Sequence, residues 1–360
     1  MSKARELAQK PNQPTGRKNL IINGAMQVAQ RDDEVTGQTE TNGYKTVDRF
    51  QFWTYSGGTY TLSQDGTEAP QGFAHSHKVL NTSATTTVAG TGVTFRHRIE
   101  AQDLQHLDYN TSSAKPVTLS FWVRSDTTGT YAVRIYNPDS GRMVTKTYAI
   151  STADTWEKKN ITFSGDTGGV INNDSGYAFE VAWWLAAGTD FTSGSASGSW
   201  EAYSSTKEAS GHNVNLNSGG NWYITGVQLE VGSVATEFEH RSFGEELALC
   251  QRYYTKFDFP QTTPFFPSHR QTGNTVRSTV TTPVPMRTTP TINASGQPFL
   301  SYNWDNSSNF LVDDGTSLTV IGSSLDANRF TISNPDVTGV GSNVGSVYAY
   351  NGDLECDSEL

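Results

Sequence analysis

A chain of 360 residues with a net charge of −10 has room for two domains, each with an ordinary core, and its bulk is too acidic to follow a nucleic-acid backbone. Only two cysteines occur, Cys250 and Cys356, which excludes a disulfide framework. With 35% hydrophobic residues, 11% aromatics and 33 glycines, the composition suits short twisted strands and many turns better than long helices.

The charge is uneven. Lys3, Arg5, Lys10, Arg17 and Lys18 oppose Glu6 within residues 1–18, a net of +4, so the remainder carries −14. This stretch holds one short helical pattern, A-R-E-L-A-Q-K, broken by Pro11 and Pro14. It reads either as a disordered start or as a basic arm that anchors the chain to an acidic partner surface. The N-terminus is polar and lacks the apolar core of a secretion signal. The longest apolar run, Phe179–Ala187, contains Glu180 and is too short to span a bilayer. The expectation is a protein made in a cytoplasm, without membrane insertion.

Residues 19–241 read as one β domain. In P-V-T-L-S-F-W-V-R the residues Val117, Leu119, Phe121 and Val123 fall on one face of a strand. Tyr131, Val133 and Ile135 form the next stripe, and N-P-D-S-G at Asn137–Gly141 is a turn. Trp156–Ser164 and Ala178–Leu185 continue the pattern. The segment Gly188–Gly220 is long and polar, an expected functional or disordered loop. Asn221–Val231 closes the domain, with Tyr223, Thr225, Val227, Leu229 and Val231 assigned to one face. Many short strands between turns predict a β-sandwich or jelly roll.

Residues 242–256 predict the one helix. Ser242 and Glu245 have the spacing of a capping box, and Leu247, Cys250, Gln251 and Tyr254 would share a packing face between subunits or domains. From 257 to 360, prolines and short strand-like runs at Phe299–Trp304, Leu318–Ile321, Arg329–Ile332 and Val347–Tyr350 predict a second, smaller β domain. The fold class is thus all-β: a jelly roll, one short helix, and a smaller β domain.

Six segments carry a resemblance: N-L-I-I-N-G-A-M-Q-V-A-Q-R at 19–31, Y-K-T-V-D-R at 44–49, L-S-F-W-V-R-S at 119–125, I-T-G-V-Q-L-E-V-G at 224–232, F-E-H-R at 238–241 and E-L-A-L-C-Q-R-Y-Y at 246–254. Their order and spacing resemble tail-fibre and minor tail proteins of tailed bacteriophages, of the marine and cyanobacterial type, whose modules are similar to carbohydrate-binding jelly rolls. The first and fourth segments would be the opening and closing strands of that module. The resemblance implies a virion structural protein, anchored by its N-terminus, trimeric, touching other tail or virion proteins and host surface polysaccharide. A capsid head-fibre or decoration protein and a polysaccharide-degrading tailspike are the alternatives. No long-fibre shaft is present.

Enzyme signatures are lacking. No nucleophile elbow, zinc-protease helix or Gly-rich phosphate loop occurs, and Asp103, Asp108 and Asp174 are scattered acids rather than a pair. The expectation is a non-enzyme without a cofactor. His75 and His77 in H-S-H read as a surface pair short of a metal site. Asn172-Asn-Asp-Ser-Gly176 offers oxygens to a structural calcium without the spacing of an EF-hand, and such jelly rolls often hold one. On three predicted strands a tryptophan, Trp122, Trp184 or Trp222, falls opposite the main apolar stripe, and Arg124 or Gln228 shares that face in two of them. Indoles stack on sugar rings while Arg and Gln bond hydroxyls, so these five are candidate glycan contacts. Core packing and a subunit interface are the competing readings.

Overall fold

A computed structural model describes residues 17–83, 86–259, 263–266, 268–270, 276–303, 309–312, 319–323, 329–334 and 344–360. The structure has two compact units: residues 1–27, 34–43 and 51–241 in one, and 28–33, 44–50 and 242–360 in the other. Residues 28–33, 44–50 and the helix thus join the C-terminal unit, whereas the sequence pattern places 28–33 and 44–50 in the jelly roll and the helix between the two domains.

The first unit is an antiparallel sandwich. Its strands are β1 (Glu34–Gln38), β2 (Asn42–Tyr44), β3 (Phe50–Tyr55), β4 (Tyr60–Asp65), β5 (Ser76–Asn81), β6 (Gly92–Glu100) and β7 (Val117–Ser125). Then follow β8 (Gly129–Asn137), β9 (Arg142–Ile150), β10 (Glu157–Phe163), β11 (Tyr177–Ala187), β12 (Glu201–Ala202) and β13 (Asn221–Val231). One sheet runs β1-β4-β5-β13-β7-β10 and the other β12-β9-β8-β11-β6-β3-β2. This is the jelly-roll arrangement expected from the sequence. The inner faces interdigitate through aromatic rings: Phe121 of the first sheet sits 5.1 Å from Tyr148 and 5.8 Å from Trp183 of the second. Trp222 meets Phe95 edge-on at 5.9 Å, and His77 stacks on Phe95 at 4.5 Å. Such offset and edge-on pairs add to the area that the rings bury.

The turn at 137–141 forms as expected. Asn137 Oδ1 accepts from the Asp139 amide at 3.1 Å, and Gly141 takes a φ of 62°. The opening segment, 19–27, is not a strand. Asn23 and Met26 have positive φ, so the chain turns there, and hydrogen bonds to β13 hold it. Leu20 N donates to Leu229 O at 2.9 Å and Val227 N to Gly24 O at 2.8 Å. Buried Asn19 accepts from the amides of Ile21 (3.0 Å) and Leu229 (3.1 Å) and donates to Val227 O (3.1 Å). Arg241 donates to the Asn19 and Ile21 carbonyls. Three segments of the resemblance, 19–31, 224–232 and 238–241, therefore meet in one hydrogen-bonded seam.

In the second unit, helix α1 (Phe243–Gln251) is capped by Ser242 and Glu245 as the spacing predicts. It ends at Gln251, so Tyr254 belongs to the following strand. Glu246, Cys250 and Tyr253 are buried, whereas Leu247 and Gln251 are half-exposed, so the packed face differs from the Leu247, Cys250, Gln251, Tyr254 stripe. The strands are β14 (Tyr254–Phe259), β15 (Thr263–Phe266), β16 (Ser268–Arg270), β17 (Val276–Thr281), β18 (Thr291–Asn303), β19 (Asn309–Val312), β20 (Thr319–Ser323), β21 (Arg329–Asn334) and β22 (Val344–Asp357). One sheet is ordered β14-β22-β18-β19 with β15 also on β22, and the other β16-β17-β21-β20. The expected strand runs fall in β18, β20, β21 and β22, while Trp304 and Leu318 lie outside the described residues.

Two arginine–tyrosine stacks join the remaining motif segments within this unit. The Arg49 guanidinium lies 3.4 Å from the centre of the Tyr253 ring and pairs with Glu359. Arg31 lies 3.6 Å above Tyr254 and pairs with Asp357 at 3.1 Å. Gln30 bonds the Asp48 carboxylate and the Tyr254 carbonyl, at 2.8 Å for the latter. The Q-R, D-R and Y-Y dipeptides of the motifs are thus one buried cluster of charges and rings.

Candidate functional site

The outer face of the seven-stranded sheet carries a cleft of about 460 Å³, within the usual range of small-ligand sites. The two-residue period puts Trp53 of β3, Arg96 and Arg98 of β6, Arg134 and Tyr136 of β8, and Glu180 and Trp184 of β11 on this face. Tyr177 lines one end. Phe191, Tyr203 and Glu208 come from the 188–220 segment. That segment is folded down on the sheet: Gly188 N donates to Thr91 O at 2.7 Å, Trp200 Nε1 to Ser164 O at 2.7 Å, and Ala209 packs with Ala132 and Trp184.

The charges of the cleft are interlocked. Glu180 accepts from Arg98 Nε at 2.9 Å and from Arg134 at 2.5 Å. Arg134 reaches on to Glu208 at 2.5 Å, and Glu208 also accepts from the Tyr203 hydroxyl at 2.7 Å. Burial would raise the Glu180 pKa, but Arg134, Arg96 and Arg98 outweigh it and hold the carboxyl down at about 2. Burial, with the Glu208 carboxylate beside it, pushes the Tyr203 hydroxyl up to about 12. The rings and cations alternate. Arg96 lies 4.7 Å from the Trp53 ring centre and Arg98 4.4 Å from that of Tyr177. Tyr136 and Tyr203 sit 5.1 Å apart.

The five glycan candidates named from sequence do not share one place. Trp184 lines the cleft but is fully buried beneath Phe191, 4.9 Å away, so its ring has no open face for a sugar. Trp222 lies in the core between the sheets, because a β-bulge between Thr225 and Gln228, with Gly226 at φ 62°, shifts the face alternation within β13. Trp222 and Ile224 therefore point inward with Val227 and Leu229, and the single stripe from Tyr223 to Val231 breaks at the bulge. Gln228 is fully buried; it bonds Glu230 and accepts from the Glu239 amide, each at 2.8 Å. Trp122 and Arg124 are on the outer face of the other sheet. Arg124 pairs there with Glu68 at 2.8 Å and Asp154 at 3.3 Å, over Tyr223.

Of the arm residues, Lys3, Arg5 and Lys10 lie outside the described residues. Arg17 is exposed. Lys18 is tied into the first unit, its ammonium donating to Thr236 Oγ1 at 2.6 Å and to the Glu237 carbonyl. His75 and His77 are not a surface pair, since His77 is buried on Phe95 and burial lowers its pKa to about 3. At 172–176, Asp174 Oδ1 accepts from the Gly176 amide and Asn172 bonds Asp139. Among the described residues, no three His, Cys, Asp or Glu side chains cluster as a metal site would require, and no helix is long and apolar enough to cross a membrane.

Sandwich and cleft together define a jelly-roll protein with an aromatic, arginine-rich groove. No family model and no curated protein matches the chain. Among solved structures, the chain is similar to the enzymatically active domain of tailspike protein 4 from bacteriophage CBA120, at 14% identity and a TM-score of 0.32, over 59% of this chain and 21% of that one. It thus spans about a fifth of the tailspike chain. It is similar to a family 4 carbohydrate-binding module at 11% identity and TM-score 0.28, over 58% of this chain and 97% of that one. A family 11 carbohydrate-binding module from Clostridium thermocellum, in complex with a β-1,3-1,4-mixed-linked tetrasaccharide, matches at 11% identity and TM-score 0.29, over 57% and 98%. The fold assignment rests on the sheets themselves.

Proposed function

We propose that the chain is a virion protein of a tailed bacteriophage, a tail-fibre or tail-tip component whose jelly roll binds host-surface glycan in the cleft of the seven-stranded sheet. The cleft carries this reading: Trp53, Tyr136, Tyr177 and Tyr203 offer apolar ring surface beside fixed guanidinium and carboxylate groups, the combination that a hydroxyl-rich ring needs. The six-segment resemblance supplies the virion setting, and with it a trimer, attachment through the basic N-terminal arm, and a structural calcium as an option. Weak sites repeated across such a trimer would add up through avidity.

Hydrolysis is disfavoured at this groove. A glycosidase needs one carboxyl protonated near neutral pH, whereas Glu180 is held at about 2 and both cleft carboxylates are engaged by Arg134. The test is binding of labelled full-length protein to host cells, with and without competing host polysaccharide. Saturable, competed binding that falls about 30-fold in Trp53→Ala, the ~2 kcal/mol of a binding hot spot, supports the reading. No binding by folded oligomer would move the chain to a connector or head-decoration role.

A further inference from the structure

Resting on the glycan reading, we infer that the cleft takes an acidic sugar, one bearing a carboxylate, and that Arg96 receives that carboxylate. The cleft holds three guanidinium groups against two carboxylates. Both carboxylates are already occupied: Glu180 by Arg98 and Arg134, Glu208 by Arg134 and the Tyr203 hydroxyl. Arg96 is left over. Its Nε donates to Thr94 Oγ1 at 2.6 Å, but its nearest carboxylate oxygen, on Glu180, is 3.9 Å from Nη1. Neither terminal nitrogen makes a hydrogen bond among the described residues.

The surroundings of Arg96 keep it presented. Its guanidinium is stacked on Trp53 of β3, and its register partner on β11, Ala182, is small. Burial and the neighbouring cations Arg134 and Arg98 act against its charge, only partly offset by Glu180 and Glu208. An incoming anion would relieve that excess. A planar carboxylate meets a guanidinium edge through two parallel hydrogen bonds, which a neutral hydroxymethyl group cannot reproduce.

The experiment is calorimetric titration of the full chain with oligogalacturonate, hyaluronate oligosaccharides and oligosialic acid, each paired with its carboxyl-reduced, neutral counterpart of the same linkage. The expected result is that at least one acidic member binds, with its neutral counterpart at least tenfold weaker. Arg96→Gln should then lower the acidic affinity at least tenfold more than the neutral affinity, closing the gap between the two, while Arg96→Lys restores part of the preference. Equal binding of an acidic and a neutral partner overturns the acidic-sugar inference and leaves the glycan reading standing. An acid preference that survives in Arg96→Gln, or equal loss of acidic and neutral affinity there, overturns the role of Arg96. Binding to none of the six overturns the acidic-sugar inference, while the glycan reading stands or falls separately by competition with host polysaccharide on cells.

Discussion

Replacing Asn19 by alanine would cut the seam that joins the opening segment to β13. The side chain is 6% exposed and makes three hydrogen bonds to main chain, two as acceptor from the Ile21 and Leu229 amides and one as donor to Val227 O. Alanine leaves both amides without that acceptor, at a cost of roughly 1–3 kcal/mol for each buried unsatisfied group. Some relaxation by water reduces the sum, and the expected loss is about 3 kcal/mol. With a urea m-value of about 3 kcal/mol/M, at the upper end for single domains, the midpoint drops by about 1 M. Urea unfolding followed by tryptophan fluorescence reports on this core through Trp183 and Trp222. Asn172→Ala is the control, because its side chain is exposed and bonds only Asp139 through its amide nitrogen, so its effect should stay within ~0.5 kcal/mol. An Asn19→Ala variant as stable as that control would show that the seam is not held by this side chain.

The bulge in β13 predicts that Gly226→Ala is destabilising by about 2 kcal/mol in the same assay: φ is 62°, and an added Cβ would stand 2.6 Å from Phe73 Cζ. A neutral result would refute the bulge. Glu180 gives a pH dependence of definite sign. Its folded pKa lies near 2, below its ordinary 4.5, so its contribution of about 3 kcal/mol is present above pH 4.5 and lost as pH falls towards 2. In Glu180→Gln that part of the acid loss should vanish from thermal melts, while the decline from buried His77 and His212, beginning near pH 6.5, persists. Both cysteines should resist a disulfide reagent at pH 8 until the second unit unfolds, because burial pushes Cys356 up to about 12 and Cys250 well above the usual thiol range. Rapid labelling of the native protein would contradict their burial.

Much of the sandwich was legible because β7 and β8 keep an unbroken period of two, and the helix start was legible because its cap is a local code at Ser242 and Glu245. The packed helix face was not, since it depends on what β14 places beside Cys250. Trp222 was assigned to the wrong face because alternation counts residues, and a bulge adds one without marking the string beyond a glycine. The cleft was largely invisible for a topological reason. Trp53, Arg96, Arg134 and Glu180 come from strands ordered β8-β11-β6-β3, which are distant in sequence, and Tyr203 and Glu208 come from the polar loop. Only Trp184 was named. The motif segments were visible as strings, but their meaning as an Asn19 seam and as Arg31 and Arg49 stacked on Tyr254 and Tyr253 required the fold.

The assignment of residues 28–33 and 44–50 to the second unit bears on how this chain can be cut or recombined. A break at 241/242 looks like a clean domain junction, yet a fragment starting there would keep Tyr253, Tyr254, Asp357 and Glu359 and lose Arg31 and Arg49, leaving the buried Glu359 carboxylate without its cations. Exchange of the C-terminal unit between related chains therefore calls for residues 28–33 and 44–50 to travel with 242–360, which takes five junctions rather than one. A chimera made with one junction would inherit two halves of a lock cut for different keys.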